Sequence, residues 1–129
     1  MSPRFEPQRG NAPAEFVLVS ALLVALAVGV IHTTLIIHVR HILQASAWEG
    51  ARLASYYDTT SADGISLTRG LISDSLNPRY ATDVRAQSGV IDGQPAITII
   101  VAAPVPTLGL WSLGGEIRVE ARAALEQPG

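Results

Sequence analysis

The feature that most constrains this chain is an apolar run, residues 16–39, which contains no aspartate, glutamate, lysine or arginine. A helix of about 20 apolar residues crosses a hydrocarbon core of roughly 30 Å, because each residue adds about 1.5 Å. The run is long enough for this, with some tilt. Glu15 stands at its front edge, and Arg4 and Arg9 precede it. The sequence therefore predicts one membrane-spanning helix.

The length of this run argues against an ordinary cleaved secretory signal. Such a signal has an apolar region of about 7–15 residues, followed by a small-residue cleavage site. This run continues instead into Arg40 and His41. The arginines that precede it favour a cytoplasmic N-terminus. We therefore expect a single-pass protein of the cytoplasmic membrane, with the rest of the chain extracytoplasmic.

Helix-compatible sequence continues beyond the apolar run. No proline occurs between Pro13 and Pro78, so one helix is predicted from about Pro13 to about Tyr57. Its second half is expected to be a water-exposed stem, in which Glu49 and Arg52 can pair on the surface. The stem carries a narrow apolar stripe for packing, which consists of Leu43, Ala47, Ala51 and Ala54.

The remaining residues, 58–129, predict a small extracytoplasmic domain of α+β class. Beyond Pro78 the period of apolar residues changes to two, which indicates strands. The predicted elements, in order, are a loop at 58–64, a short helix at 65–76, strands at 80–87, 96–103 and 116–125, and a turn at 88–94. We expect an antiparallel sheet packed on the stem and the short helix. Leu110 and Trp111 lie in a glycine-rich loop that could form an exposed contact surface, although we expect them to cap the thin core instead.

Composition argues against several classes of function. The chain has no cysteine, which removes disulfides, thiolate metal sites and cysteine nucleophiles. A net charge of -2 and the lack of a basic cluster argue against a nucleic-acid partner. His32, His38 and His41 are spaced poorly for a shared metal site, and no G-x-S-x-G motif frames a serine. We expect no enzymatic activity, no metal and no cofactor.

Two short motifs resemble those of a known family. Residues 9–16, RGNAPAEF, look like a class III (type IVc) prepilin processing site, where a glycine is followed, after four residues, by a glutamate. Residues 49–52, Glu-Gly-Ala-Arg, resemble the segment that follows the membrane helix in TadE-like proteins. These are pseudopilins, or minor pilins, of tight adherence (Flp/Tad) pilus systems. The resemblance covers residues 9–54 and implies a structural, pilin-like subunit.

The resemblance implies that a prepilin peptidase cuts between Gly10 and Asn11. This cut would remove a disordered leader, residues 1–10, and retain a transmembrane helix and stem, residues 11–57. The residue that follows the glutamate in major Flp pilins is usually tyrosine, so Phe16 favours the TadE-like class. The implied partners are the peptidase, other pilin-like subunits, the Tad assembly machinery and membrane lipid. The stem motif consists of Glu49, Gly50, Ala51 and Arg52.

Glu15 is given a role in processing and assembly by the resemblance, together with Phe16. A carboxylate at the edge of hydrocarbon is costly and usually has a partner. Cleavage would create an amine on Asn11, which could satisfy Glu15 in the same chain or in a neighbouring subunit. Glu15 could instead remain an interfacial charge among the lipid headgroups.

Small residues recur every four positions in the apolar run, at Ala21, Ala25 and Gly29, and would let membrane helices approach closely.

The second reading of the whole chain is an uncleaved single-pass anchor that displays a small extracytoplasmic binding domain. The fold would be nearly the same, and processing at Gly10 separates the two readings.

Overall fold

A computed structural model describes residues 5–106 and 115–126, with side chains from residue 11 onward. The elements are two α-helices, a short 3₁₀ helix and three strands: α1 (Phe5–Ala54), α2 (Ser61–Ser75), the 3₁₀ helix (Pro78–Ala81), β1 (Asp83–Ile91), β2 (Gln94–Pro104) and β3 (Glu116–Ala124). This arrangement confirms the α+β class. The chain divides into two compact units, Met1–Thr34 and Leu35–Gly129, each described by itself. The predicted loop with Leu110 and Trp111 lies outside the described residues.

Helix α1 begins and ends earlier than predicted. It starts at Phe5 rather than Pro13, so the leader expected to be disordered is helical over residues 5–10. Pro7 is the proline that lies in the first helical turn, where a missing amide is tolerated, whereas Pro13 lies inside the helix. The helix ends at Ala54 rather than Tyr57. There the Leu53 carbonyl accepts hydrogen bonds from the Tyr56 amide at 3.2 Å and from the Thr59 hydroxyl, in place of the amide four residues on that would continue the helix.

The first unit presents its apolar side chains outward. Phe16 is 74% exposed and Leu26 is 65% exposed. The hydroxyl groups of Thr33 and Thr34 donate to the carbonyls four residues earlier, each at 2.8 Å, which satisfies these polar groups inside the run. From Asn11 onward, α1 is long and apolar enough to cross a membrane. An exposed apolar helix of this kind suits lipid, which indicates a single-pass membrane protein.

Helix α2 starts earlier than predicted because a capping box precedes it. The Thr60 hydroxyl accepts from the Asp63 amide at 3.2 Å, and the Asp63 carboxylate accepts from the Thr60 amide at 2.9 Å. These two bonds satisfy amides that the first turn leaves without partners. Residues 61–64, predicted as loop from their polar composition, therefore belong to the helix.

The sheet is an antiparallel meander in the order β1-β2-β3. The first connection is a two-residue turn, Asp92-Gly93, between the paired residues Ile91 and Gln94. Both turn residues have positive φ, 50° and 81°, as the tight hairpin turns favoured by Asp-Gly require. The predicted turn at 88–94 was therefore too long, and the strand predicted at 80–87 starts later because a 3₁₀ helix precedes it.

The core lies between one face of this sheet and the two helices of the second unit. Val84, Val101 and Val119 form a cross-strand row on this inner face, and all three are buried. The stem supplies Leu43, Ala47 and Ala51, each with no exposed surface, as its apolar stripe predicted. The outer face of β3 is polar, as its alternation predicted, and carries the exposed residues Glu116, Arg118, Glu120 and Arg122.

Candidate functional site

The predicted cleavage site lies within the helical part of the chain. Gly10 and Asn11 both belong to α1, and the Asn11 side chain is exposed. A protease cleft binds an extended backbone, so cleavage at this bond requires the helix to unwind around Gly10. Glycine lowers the cost of unwinding by roughly 0.5–1 kcal/mol relative to alanine, since it is a poor helix former.

Glu15 follows Asn11 by one helical turn, so the two residues share a face of α1. Positions four apart in a helix have Cβ atoms about 5–6 Å from each other. An amine created on residue 11 would therefore have the Glu15 carboxylate within reach of a salt bridge in the same chain. Glu15 and Phe16 are both exposed, so both are also available to other molecules.

The small residues predicted to pack against other helices are exposed as well. Ala21, Ala25 and Gly29 are all solvent-exposed within the first unit. A methyl group built on Gly29 meets no atom within 4 Å. This part of the helix has an open groove whose lining residues are Ala25, Leu26, Gly29, Val30, Thr33 and Thr34.

The stem motif divides into an inward pair and an outward pair. Gly50 and Ala51 are buried, whereas Glu49 and Arg52 are exposed. Gly50 lies where α1 crosses α2: a Cβ at this position would overlap the Thr68 hydroxyl oxygen and lie 2.7 Å from the Gly64 carbonyl oxygen. Only a residue without a side chain permits this approach.

Thr68 completes the crossing with a buried hydroxyl group. Its oxygen lies 2.8 Å from the Gly64 carbonyl oxygen within α2 and 3.4 Å from the Ser46 carbonyl oxygen of the stem. Thr68 has no exposed surface, so these contacts supply the hydrogen bonding that a buried hydroxyl needs. The hydroxyl thus contacts backbone carbonyls of both helices at this crossing.

The outward pair does not form the predicted ion pair. Arg52 Nε instead donates to the Tyr56 hydroxyl at 3.2 Å. This hydrogen bond, together with the charges of Tyr56 and Glu49, raises the pKa of the Arg52 guanidinium above its ordinary value. Among the described residues, ion pairs are found instead in the sheet, between Asp83 and Arg85 and around Glu120.

The family model described as TadE-like protein matches residues 10–52. This stretch is TadE-like. The match begins at Gly10 of the predicted cleavage site and ends at Arg52 of the stem motif, which confirms the resemblance seen in the sequence. It indicates a pilin-like, structural protein associated with the Tad pilus. No curated protein and no solved structure was found to match the chain.

The residues that pack against Gly50 of the TadE-like stretch lie outside this stretch, and the sequence analysis did not predict the contact. Gly64 and Thr68 belong to α2, and Gly64 was assigned to a loop because of its polar neighbours. The signal that could have placed it is the capping box at Thr60 and Asp63, which starts α2 early enough to include Gly64. Their contact with Gly50 joins parts of the chain that sequence spacing alone does not connect.

Within residues 11–106 and 115–126, no group of three histidine, aspartate or glutamate side chains is arranged to hold a metal ion. His38 and His41 are exposed and His32 is half-buried.

Proposed function

We propose that this protein is a pilin-like structural subunit that acts in Tad/Flp pilus assembly after cleavage by a prepilin peptidase. The observation that carries the proposal is the TadE-like match, which runs from Gly10 through the exposed apolar helix to Arg52. The peptidase removes residues 1–10 on the cytoplasmic side, and α1 stays in the membrane. The second unit lies on the extracytoplasmic side.

In this function Glu15 is the residue that selects register during assembly. Its carboxylate sits at the edge of the apolar run and shares a helical face with the amine that cleavage creates on Asn11. The same amine on a neighbouring subunit offers Glu15 a partner between chains, and pairing there relieves the cost of a lone carboxylate in hydrocarbon. Phe16, which is 74% exposed, contacts lipid or a neighbouring helix beside it.

The exposed small residues Ala21, Ala25 and Gly29 are the proposed packing surface for other pilin-like helices in the membrane. Helices associate in lipid by close backbone approach, because no hydrophobic effect drives them together there. The open groove beside Gly29 accepts a neighbouring backbone without displacing any side chain.

The second candidate function is an uncleaved membrane anchor with a small extracytoplasmic binding domain. The observation that favours it is the continuity of α1 from Phe5 through Gly10 and Asn11, which presents the scissile bond as helix. An anchor of this kind keeps residues 1–10 and uses Glu15 as an interfacial charge.

The intact mass and N-terminal sequence of the membrane-bound protein test the proposal. The chain is produced with and without a prepilin peptidase. We expect it to begin at Asn11 only when the peptidase is present. A Gly10→Leu variant should keep its first residues in both cases, whereas Gly29→Ala, a change of another glycine in the same helix, should be cut normally. A wild-type chain that keeps residues 1–10 with the peptidase present would favour the uncleaved anchor.

A further inference from the structure

The stem has an exposed polar-aromatic face on the side away from the core. Trp48 is 56% exposed, and Glu49 and Arg52 are exposed beside it. At about 100° per residue, Trp48 and Arg52 point in nearly the same direction, and Glu49 lies about 60° from Arg52. The core side chains of the stem, Leu43 among them, point the opposite way. Packing among residues 11–106 and 115–126 therefore does not account for this face.

Glu49 and Arg52 do not form a close ion pair with each other, although the Glu49 charge acts on Arg52. Arg52 donates to Tyr56, and Glu49 lies beyond ion-pair distance of it. The face thus presents one exposed carboxylate and one exposed guanidinium, with Trp48 next to them. Tryptophan and arginine are among the residue types that contribute most to binding at protein interfaces.

We propose that this face, composed of Trp48, Glu49 and Arg52, is the contact surface for a second copy of the same chain. The inference goes beyond the proposed function, and it rests on that function only in requiring that two copies enter one membrane in the same direction. Such copies are related by a twofold axis along the membrane normal, which brings identical faces together.

Charge complementarity selects a second copy as the occupant. In the twofold arrangement, Glu49 of each stem faces Arg52 of the other, which forms two reciprocal ion pairs. The two residues differ in height along a helix by about 4.5 Å, a distance that an extended arginine and a glutamate span. The Trp48 rings lie beside these pairs and shield them from water, which strengthens the attraction.

The face is small, so the contact depends on the membrane. Stable interfaces bury at least roughly 1,200 Å² in total, which is more than three side chains from each copy supply. Two chains that share a membrane are held at a high effective concentration, and a weak contact is enough to pair them. The test must therefore use the full chain in membranes.

The lack of cysteine in the chain makes thiol cross-linking a direct test. Ala45 is exposed and lies one turn before Trp48 on the same face. An Ala45→Cys chain in membranes, treated with a short thiol-specific cross-linker, should yield a product of twice the chain mass. Ser75→Cys, an exposed position on α2, serves as the matched control and should yield at least fivefold less of this product.

Charge reversal tests whether Glu49 of one copy pairs with Arg52 of the other. In the Ala45→Cys chain, Glu49→Arg or Arg52→Glu alone should reduce the cross-linked yield at least threefold, because like charges then face each other. The double reversal should restore it. Equal yields from Ala45→Cys and Ser75→Cys, no effect of single reversal, or a product of another mass would each overturn the proposal. The yield is independent of the N-terminal residue, so loss of processing and loss of pairing are distinguished.

Discussion

Gly50 and Gly64 lie against each other where α1 crosses α2, and each occupies the space that a side chain on the other would need. A Cβ on Gly64 would lie 2.5 Å from the Gly50 carbonyl oxygen and 2.7 Å from the Ala54 Cβ atom. The two helices can pack at this distance only while both positions are glycine. Gly50 of the stem motif therefore allows α2 to pack closely against α1.

Gly50→Ala should destabilise the second unit by about 1–3 kcal/mol, because the added methyl group overlaps the Thr68 hydroxyl and forces the helices apart. Chemical denaturation of the full chain in detergent, followed by circular dichroism, measures the change. Gly70→Ala is the matched control: it lies within α2 with no atom near the new methyl group, and should stabilise the helix by roughly 0.5–1 kcal/mol. A Gly50→Ala protein as stable as wild type would contradict the close crossing.

Glu15→Ala should leave membrane insertion intact and reduce pilus yield. Removing a carboxylate from the edge of the apolar run makes insertion easier, but it also removes the proposed partner of the Asn11 amine. Membrane fractionation and the amount of sheared pilus protein measure the two effects separately. Glu116→Ala, which removes an exposed carboxylate from the sheet, is the control and should not change the yield. Pilus yield equal to wild type in the Glu15→Ala strain would rule out the assembly role of Glu15.

Thr60→Ala should reduce the unfolding free energy by about 1 kcal/mol, because α2 loses the side-chain acceptor for its Asp63 amide. Ser61→Ala changes the next residue, which is exposed and lies inside the first turn, and is expected to have little effect. Thermal unfolding of the two variants under identical conditions compares them. Equal melting temperatures of the two variants would show that the Thr60 hydroxyl does not stabilise α2.

Asp83 should contribute to stability at neutral pH and lose that contribution in acid. The hydrogen bond from Arg85 lowers the pKa of the Asp83 carboxyl below its ordinary value. Because the folded-state pKa is the lower one, the contribution is complete above the unfolded pKa of about 3.9 and disappears as pH falls through the folded pKa. The Arg85 side chain is 70% exposed and the Asp83 side chain is 37% exposed, so solvent screens the pair and the contribution is small.

A double-mutant cycle with Asp83→Asn and Arg85→Gln isolates this pair. We expect a small positive coupling energy at pH 7 and a smaller one at pH 2, because the carboxyl becomes protonated as pH falls. A coupling energy that stays the same at both pH values would show that charge does not hold the pair together.

Much of the architecture follows from local pattern. The uncharged run of residues 16–39 predicts a membrane helix, and the alternation in residues 116–125 predicts a strand with one polar face. Errors arose where a local signal was assigned to the wrong element. The first-turn role of proline belonged to Pro7 rather than Pro13, and Thr60 with Asp63 was read as loop composition rather than as a capping box.

The sequence by itself determined the membrane helix, the strand periodicity and the TadE-like motifs, because each depends on residues that are close together in the chain. Only the tertiary structure decided why the stem motif contains a glycine, and which of its residues face inward. The contact of Gly50 with Gly64 and Thr68 is made after the chain has reversed direction, through atoms that no periodic pattern brings together. The same fold turned Glu49 and Arg52 away from the core, so that both side chains are exposed.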